Sequence, residues 1–565
     1  MRLLDQFQRL ADGLSAHAAP SLAEIAGMLC CSERNARLLL QRMQAEGWLR
    51  WEPGRGRGHR SRLTVLQAPA ALRLGRLHRL LEQGRLEAAF EGLPSEGQAQ
   101  LLQALPGYLG VSRAGGLRLP FYRPLHALDP IQVNRRTEAH MLAQICAGLT
   151  EFDAERKSVV PALAHHWESG EGGRQWDFWL RPGLTFHDGR PVQAEDAAQS
   201  LRRLRDSEGP FRAMFSHLQQ IDSHGAQLSL RLAAPDYLLL NRLAHHAASV
   251  LPAQDWLRPD FARLPIGAGP FRLLRNNDYR ATFAAFTGYF RERALLDEID
   301  IWVVPVGAPL PEVDISHSYR HLPEGHWQSL QQLEQGCDYI AFNPTRPAFA
   351  RAADRVALAA WLREAVQPMA AAENRPMAEG FLPGWQQLPA VSVPLPDLPG
   401  TLDVVTYQLD GHIALANCLA RRLAERDVQA RVTVLSYPEF AQAQWRDWAD
   451  IMVCGEVMHE DIELDLYACL NGASLFHGWF DGASRQLVDA ACARVAAEPR
   501  AARRLAFLQD CFADLLQCGA LAPISHIRQG MHFAPHLGGV RLAACGWMDF
   551  RRLWLRESPD SLAAP

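Results

Sequence analysis

The sequence predicts an α/β chain in two unequal parts: a small winged helix-turn-helix head, then a long body of α/β lobes. Three observations predict it. Residues 21–51 scan as helix, tight turn, helix and the start of a strand. An arginine-glycine segment, Gly54-Arg55-Gly56-Arg57-Gly58-His59-Arg60, follows at once. From about residue 116 onward, short strand-like and helical stretches mix to the end of the chain.

The 565 residues exceed what one hydrophobic core holds, so roughly two to four domains are expected. Net charge is -4 but unevenly spread. Residues 1–66 carry ten Arg and six acidic residues, a net of +4, which leaves -8 for the rest. A basic head on an acidic body predicts that only the head meets a polyanion. Lys157 is the only lysine in the chain, a bias of composition. The eleven cysteines show neither a disulfide framework nor zinc-ligand spacing. The first fourteen residues lack the pattern of a secretory signal, and no run of about 18 apolar residues occurs. The expectation is a cytoplasmic protein with no membrane partner.

In the head, Leu3, Leu4, Phe7, Leu10 and Leu14 recur at helical spacing. Ser21-Leu-Ala-Glu24 is a capping box for a second helix that buries Leu22, Ile25, Ala26 and Leu29. Cys30-Cys31 make the turn and Ser32 caps the third helix, which turns Ala36, Leu39, Leu40 and Met43 inward. Ser32, Arg34, Asn35, Arg37 and Gln41 then lie outward, in the half of the helix that a major-groove reader uses. Arg suits guanine edges or phosphate, and Asn or Gln suits adenine. Gly47 ends the helix, and Trp48–Trp51 and Arg62–Leu66 read as a hairpin. Its loop, the wing, carries Arg55, Arg57 and Arg60 for phosphates or a minor groove. The partner expected for this head is double-stranded DNA.

Boundaries follow from composition. The head spans residues 1–68, and residues 69–115 form a helical connector, broken by Gly84, with a second helix over 95–105. The body spans 116–565. Within it, Arg181-Pro-Gly183 and His187-Asp-Gly189 are turn chemistry around a short strand at 184–186. Ala194-Glu195-Asp196 opens a helix with acids in its first turn. His187, Asp188 and Asp196 are therefore turn and cap residues, not catalytic or metal-binding ones. No Walker A loop, HExxH, GxSxG elbow or dinucleotide fingerprint is present, so neither catalysis nor a cofactor is expected.

Several stretches recur in a fixed order: Leu128-Asp-Pro130; residues 144–153; residues 160–167; residues 176–196, which include Leu-Arg-Pro-Gly-Leu-Thr-Phe-His-Asp-Gly-Arg-Pro; Pro265–Leu273; and Tyr339-Ile-Ala-Phe-Asn-Pro344. In this order they resemble the family 5 extracellular solute-binding proteins. The resemblance implies a two-lobed α/β clamshell with a solute cleft between lobes that close as hinged bodies. It places the first lobe at about 116–338 and 520–565, and the second at about 339–519. Together with the winged head, Leu29–Arg34, Met43–Trp51, Gly56–Thr64 and Gly546–Trp554 resemble the SgrR-type transcriptional regulators. That resemblance implies a cytoplasmic activator that senses a solute; the family namesake responds to sugar-phosphate accumulation.

One departure matters for the ligand. Peptide-binding relatives carry Gly-Trp followed by an acid, whereas this chain has Cys454-Gly-Glu-Val-Met-His-Glu-Asp461 with Glu456 in place of the Trp. Glu456 and His459 are thereby candidate ligand contacts, and Arg135 and Arg136 are candidates for an anionic group. Two alternatives remain beside the regulator: a solute- or peptide-binding transporter component, and a buffer whose head docks on protein. If the wing grips phosphates, Arg55→Ala with Arg57→Ala weakens binding to all DNA sequences alike. The log–log salt dependence flattens by about one unit per lost contact. Binding isotherms at several salt concentrations check this, and unchanged isotherms remove the wing from the interface.

Overall fold

The computed structural model of the chain describes residues 2–14, 20–53, 62–82, 116–304, 314–317 and 326–556. The wing loop with Arg55, Arg57 and Arg60, and the helix expected over 95–105, lie outside the described residues. The chain forms two compact units, Met1–Tyr108 and Leu109–Pro565.

The first unit runs α1 (Arg2–Leu14), α2 (Leu22–Met28), α3 (Glu33–Ala45), β1 (Leu49–Glu52), β2 (Arg62–Val65) and α4 (Pro69–Glu82). Local chemistry sets each boundary. Ser21 Oγ accepts from Glu24 N–H at 3.2 Å and Glu24 reaches back to Ser21 N–H at 2.6 Å, so two orphan donors at the start of α2 are satisfied. At the turn, Cys30 and Cys31 N–H donate back to Gly27 and Ala26 carbonyls, with Cys30 in the left-handed region at φ 49°. Ser32 Oγ then accepts from Asn35 N–H and starts α3. β1 and β2 pair antiparallel, Leu49 opposite Val65. Gln44 Oε1 accepts from Trp51 N–H at 2.7 Å, which ties the hairpin to α3.

Phe7, Leu10, Ile25, Leu29, Ala36, Leu40, Met43 and Leu49 fill one buried core. A large apolar side chain fully withdrawn from water contributes about 1.5–3 kcal/mol. The start of the segment read as connector belongs with this core. Leu72 of α4 packs on it, and Arg73 Nη2 lies 3.4 Å from Asp5 Oδ1 of α1.

Before residue 304 the second unit contains two four-stranded, antiparallel-rich sheets beside the two-stranded pair Thr150–Asp153 and Ser158–Pro161. One orders its strands Ala164–Gly170, Gln175–Leu180, Gln227–Leu232 and Leu218–His224. The other orders Phe271–Asn276, Arg280–Ala285, Glu298–Val303 and β3 (Gly116–Phe121), the last pair parallel. Residues 184–186 form a single bridge, Thr185 with Pro191, and not a strand. The left-handed turns at Gly183 and Gly189 sit so close together that one rung fits between them. His187 hydrogen-bonds Gly269 O with Nε2 at 3.0 Å, and Asp196 accepts from Gln193 and Ala253 N–H at 2.8 Å, so both staple loops.

A five-stranded mixed sheet organises the second lobe, in the order Gln429–Leu435, Thr401–Tyr407, Ile451–Val457, Gly336–Phe342, Ala522–Ser525. Every residue of Gly336–Phe342 is buried. Just before and after it, Gln328–Leu333 pairs with Arg528–Phe533 in a separate sheet. The chain therefore passes between lobes at 334–335 and returns at 526–527, a few residues from the places expected near 340 and 520. The outer strand Ala522–Ser525 still pairs with Gly336–Phe342, which holds both in the second lobe.

A buried ion pair braces the first lobe. Arg242 Nε lies 2.8 Å from Asp236 Oδ2, and both side chains are almost fully shielded. Burial alone raises the Asp236 carboxyl; Arg242 and His217 reverse this and hold it below the ordinary carboxylate range. Removing one partner strands the other, so Arg242→Ala lowers stability by about 3–5 kcal/mol. The Asp236 contribution is present above the unfolded carboxyl pKa and is lost as pH falls through the lower folded value. Denaturant unfolding from pH 7 down to pH 3 checks both the magnitude and the sign.

Candidate functional site

Two surfaces are candidate functional sites, one on each unit. On the head, α3 divides cleanly. Ala36, Leu40 and Met43 point into the core, while Arg34, Asn35, Arg37, Leu38 and Gln41 are exposed. Arg34, Arg37, Leu38 and Gln41 follow i, i+3, i+4, i+7 spacing and form one stripe, flanked by Asn35. Leu38 is 53 % exposed, an apolar side chain placed among donors. Ser32 uses its oxygen lone pair on the cap, which leaves its hydroxyl proton free to donate.

In the second unit, a cavity of about 650 Å³ lies between the lobes. The first lobe supplies His140 and Gln144 from helix Arg136–Ile145, Glu151 and Asp153 from strand Thr150–Asp153, Asn241 from helix Leu239–Ala244, then His245, His246, Arg291, Asp549 and Arg551. The second supplies His459, Glu460, Asp461 and Asp465. Direct contacts join the two walls. Asn241 Nδ2 donates to Asp461 Oδ2 at 2.7 Å, and Ala544 N–H donates to Glu460 Oε1 at 3.0 Å.

Burial sets the charge states. It pushes Asp461 up to about 7, against the opposing hydrogen bonds from Asn241 and Leu464 N–H. His140 and His246 are held down to about 4 by burial, and His245 well below its ordinary value, so all three are neutral at pH 7. Burial also opposes charge on His459, but Asp465, which accepts from its ring Nδ1 and its backbone N–H, raises it overall.

The four ligand contacts expected from sequence separate here. His459 lines the cavity. Burial raises Glu456 to about 7, against the opposing hydrogen bond it accepts from Ser474 Oγ at 2.6 Å. Arg136 pairs with Glu334 at 2.7 Å, and the Arg135 guanidinium lies over the Tyr437 ring at 4.4 Å. Sequence reading missed His140, Gln144 and Asn241. Asn241 meets Asp461 across 220 positions, and nothing local marks either side. For His140 and Gln144 the only signal was their i, i+4 spacing on a helix otherwise buried. Among the described residues no cluster of three or more His, Cys, Asp or Glu is placed to hold a metal, and no helix is long and apolar enough to cross a membrane.

Comparisons with known proteins agree with this division. Residues 2–116 match the family described as "Sugar transport-related sRNA regulator N-term". Residues 158–366 match "Bacterial extracellular solute-binding proteins, family 5 Middle". The HTH-type transcriptional regulator SgrR of Pectobacterium atrosepticum is 31% identical over 98% of both chains. That of Yersinia enterocolitica is 32% identical over 98% of both, and that of Salmonella typhimurium 31% identical over 99% of both. Among solved structures, NikA from Brucella suis aligns with TM-score 0.64 at 14% identity, covering 78% of this chain and 100% of its own. The murein tripeptide binding protein MppA of Escherichia coli aligns with TM-score 0.63 at 17% identity, covering 78% and 99%. These two show the fold of the body. The chain belongs to the SgrR family of HTH-type transcriptional regulators: it is a DNA-binding regulator whose body has the solute-binding-protein fold.

Proposed function

We propose that this regulator is a solute-responsive activator working in the cytoplasm. Its α3 enters the major groove of a promoter, with Arg34, Asn35, Arg37 and Gln41 reading or gripping the duplex and Ser32 donating to a phosphate. Its body closes on a small solute between the lobes, with His459 at the wall. The observation that carries this reading is one chain holding both an exposed stripe of donors on α3 and a roomy cavity with polar walls drawn from two lobes. A transporter component has no use for the first. Full-length kinship with transcriptional regulators also favours the regulator.

Ligand control needs only a modest differential. A solute that binds one state tenfold more tightly than the other supplies about 1.4 kcal/mol of coupling, enough to reset promoter occupancy near its midpoint. Binding of the full chain to its own upstream DNA, titrated with competitor DNA at fixed salt, tests the reading. Retention of specific complexes supports it; binding erased by an equal mass of competitor DNA counts against it.

At a cognate site, Arg34→Ala or Asn35→Ala costs about 1–3 kcal/mol and relaxes preference at one base pair. An equal loss at every sequence reassigns the residue to phosphate. The cleft gives a pH dependence. The Asp461 carboxyl, which meets Asn241 of the other lobe, is raised to about 7, so the closed form holds a proton that the open form releases. Its contribution to closure is full below the ordinary carboxyl range and is lost as pH rises through 7. Small-angle scattering of the full chain therefore shows a larger radius of gyration at pH 8 than at pH 6. Asp461→Asn reduces that difference.

A further inference from the structure

We propose that the interlobe cleft takes a small organic cation, bearing an amine or guanidino group, and rejects phosphate esters. The proposal rests on the cleft being the solute site of this regulator and names the chemistry that fills it.

The first support is the charge of the walls. Eight carboxyl groups line the cavity against five guanidiniums, and only Asp461 among those acids is raised to about 7. The guanidiniums are already matched. Arg291 pairs with Glu151 at 2.7 Å, Arg551 with Asp549 at 2.9 Å and with Glu151 at 2.7 Å. Arg541 and Arg552 share Glu155 at 2.9 and 2.6 Å, and Arg293 pairs with Asp297. An incoming phosphate would compete with fixed carboxylates for every one of them, whereas a cation meets surplus acid.

The second support is the helix end that faces the cavity. The N-terminus of Ile462–Ala468 is where an anion would be cradled by free backbone N–H groups. Here Asp461 fills that place, accepting from Leu464 N–H at 3.1 Å, with Glu463 and Asp465 in the first turn. The anion site is occupied by the protein's own carboxylate.

The third support is independent of charge. His140 and Gln144, each more than nine-tenths buried, line the same cavity one helical turn apart. His140 Nε2 and Gln144 Oε1 have no hydrogen-bond partner among the described residues. His140 is uncharged, and its Nδ1 faces Cys545 Sγ at 3.7 Å. Gln144 Oε1 can only accept. The amide oxygen of Gln144, left unpaired in a buried wall, calls for a ligand that donates. Amines and guanidines are donors throughout; a phosphate ester at pH 7 presents acceptors. The two arginines nearest in sequence, Arg135 and Arg136, are engaged by Tyr437 and Glu334 and do not supply a free anion clamp.

Thermal denaturation and calorimetric titration of the full chain test this. The probes are putrescine, agmatine and glucosamine as amines, glucose as the neutral counterpart, and glucose 6-phosphate and inorganic phosphate as anions. At least one amine is expected to raise the Tm saturably, and both phosphates to leave it unchanged. Asp461→Asn keeps a competent helix cap and removes the charge; it should weaken amine binding at least tenfold while the unliganded Tm stays near that of the parent. Gln144→Leu should weaken it as well. Amine binding unaffected by both variants overturns the proposal. Saturable binding of glucose or a phosphate that Gln144→Leu abolishes also overturns the cation class but keeps the cleft as the solute site. If none of the probes binds, the cation class falls. If Gln144→Leu in addition leaves promoter control in cells untouched, the solute-sensing reading falls with it.

Discussion

The body depends on two antiparallel strand pairs set end to end. Gln328–Leu333 pairs with Arg528–Phe533 on one side, and Gly336–Phe342 pairs with Ala522–Ser525 on the other. The two chain passages between lobes are trapped between these ladders. They are short and lie side by side, with Glu334 N–H donating to Ile527 O and His526 Nδ1 2.6 Å from Gly336 O. Glu334 is buried there and leans on Arg136 of the first lobe. Gly336, at φ +155°, lets its strand lie against Val457 and Glu456; a Cβ would stand 1.9 Å from the Glu456 carbonyl oxygen. Two such short passages are the arrangement in which the proposed closure would be a rotation absorbed by a few backbone torsions.

From that constraint the cleft acquires its character. Asn241 and Asp461, 220 positions apart, meet across the two lobes, while Asp461 also caps its own helix at Leu464 N–H. The walls combine matched arginine–carboxylate pairs with histidines that burial keeps neutral. The Asp461 carboxyl at the contact between the lobes is raised to about 7 by burial, so its protonation eases the cost of shielding it. Under the proposed closure, this ties the lobe contact to proton uptake.

The head is built on shorter-range physics. Its caps, turns and hairpin involve contacts within a few residues, and its single core is completed by α1 and α4. Such a unit is legible one element at a time. Its net charge of +4, against -8 for the remainder, gives the two units opposite electrostatic characters. That difference keeps the acidic body from competing with the head for a polyanion.

What the sequence by itself determined follows the same line. The capping box at Ser21, the turn at Cys30-Cys31, the division of α3 into a buried and an exposed face, and the hairpin from Trp48 all follow from local preference and periodicity. The body fold was legible through motifs in fixed order, and not through periodicity alone. Tertiary structure decided the rest. It showed that residues 184–186 manage one bridge and no strand, that α4 belongs with the head core, and that the lobe passages sit at 334–335 and 526–527. It also separated the ligand candidates: His459 faces the cavity, while Arg135, Arg136 and Glu456 are spent on Tyr437, Glu334 and Ser474. The reason is distance along the chain. A cap is set by neighbours three residues away, but a cavity wall is assembled from residues hundreds of positions apart, and its chemistry exists only once the hinge has brought them together.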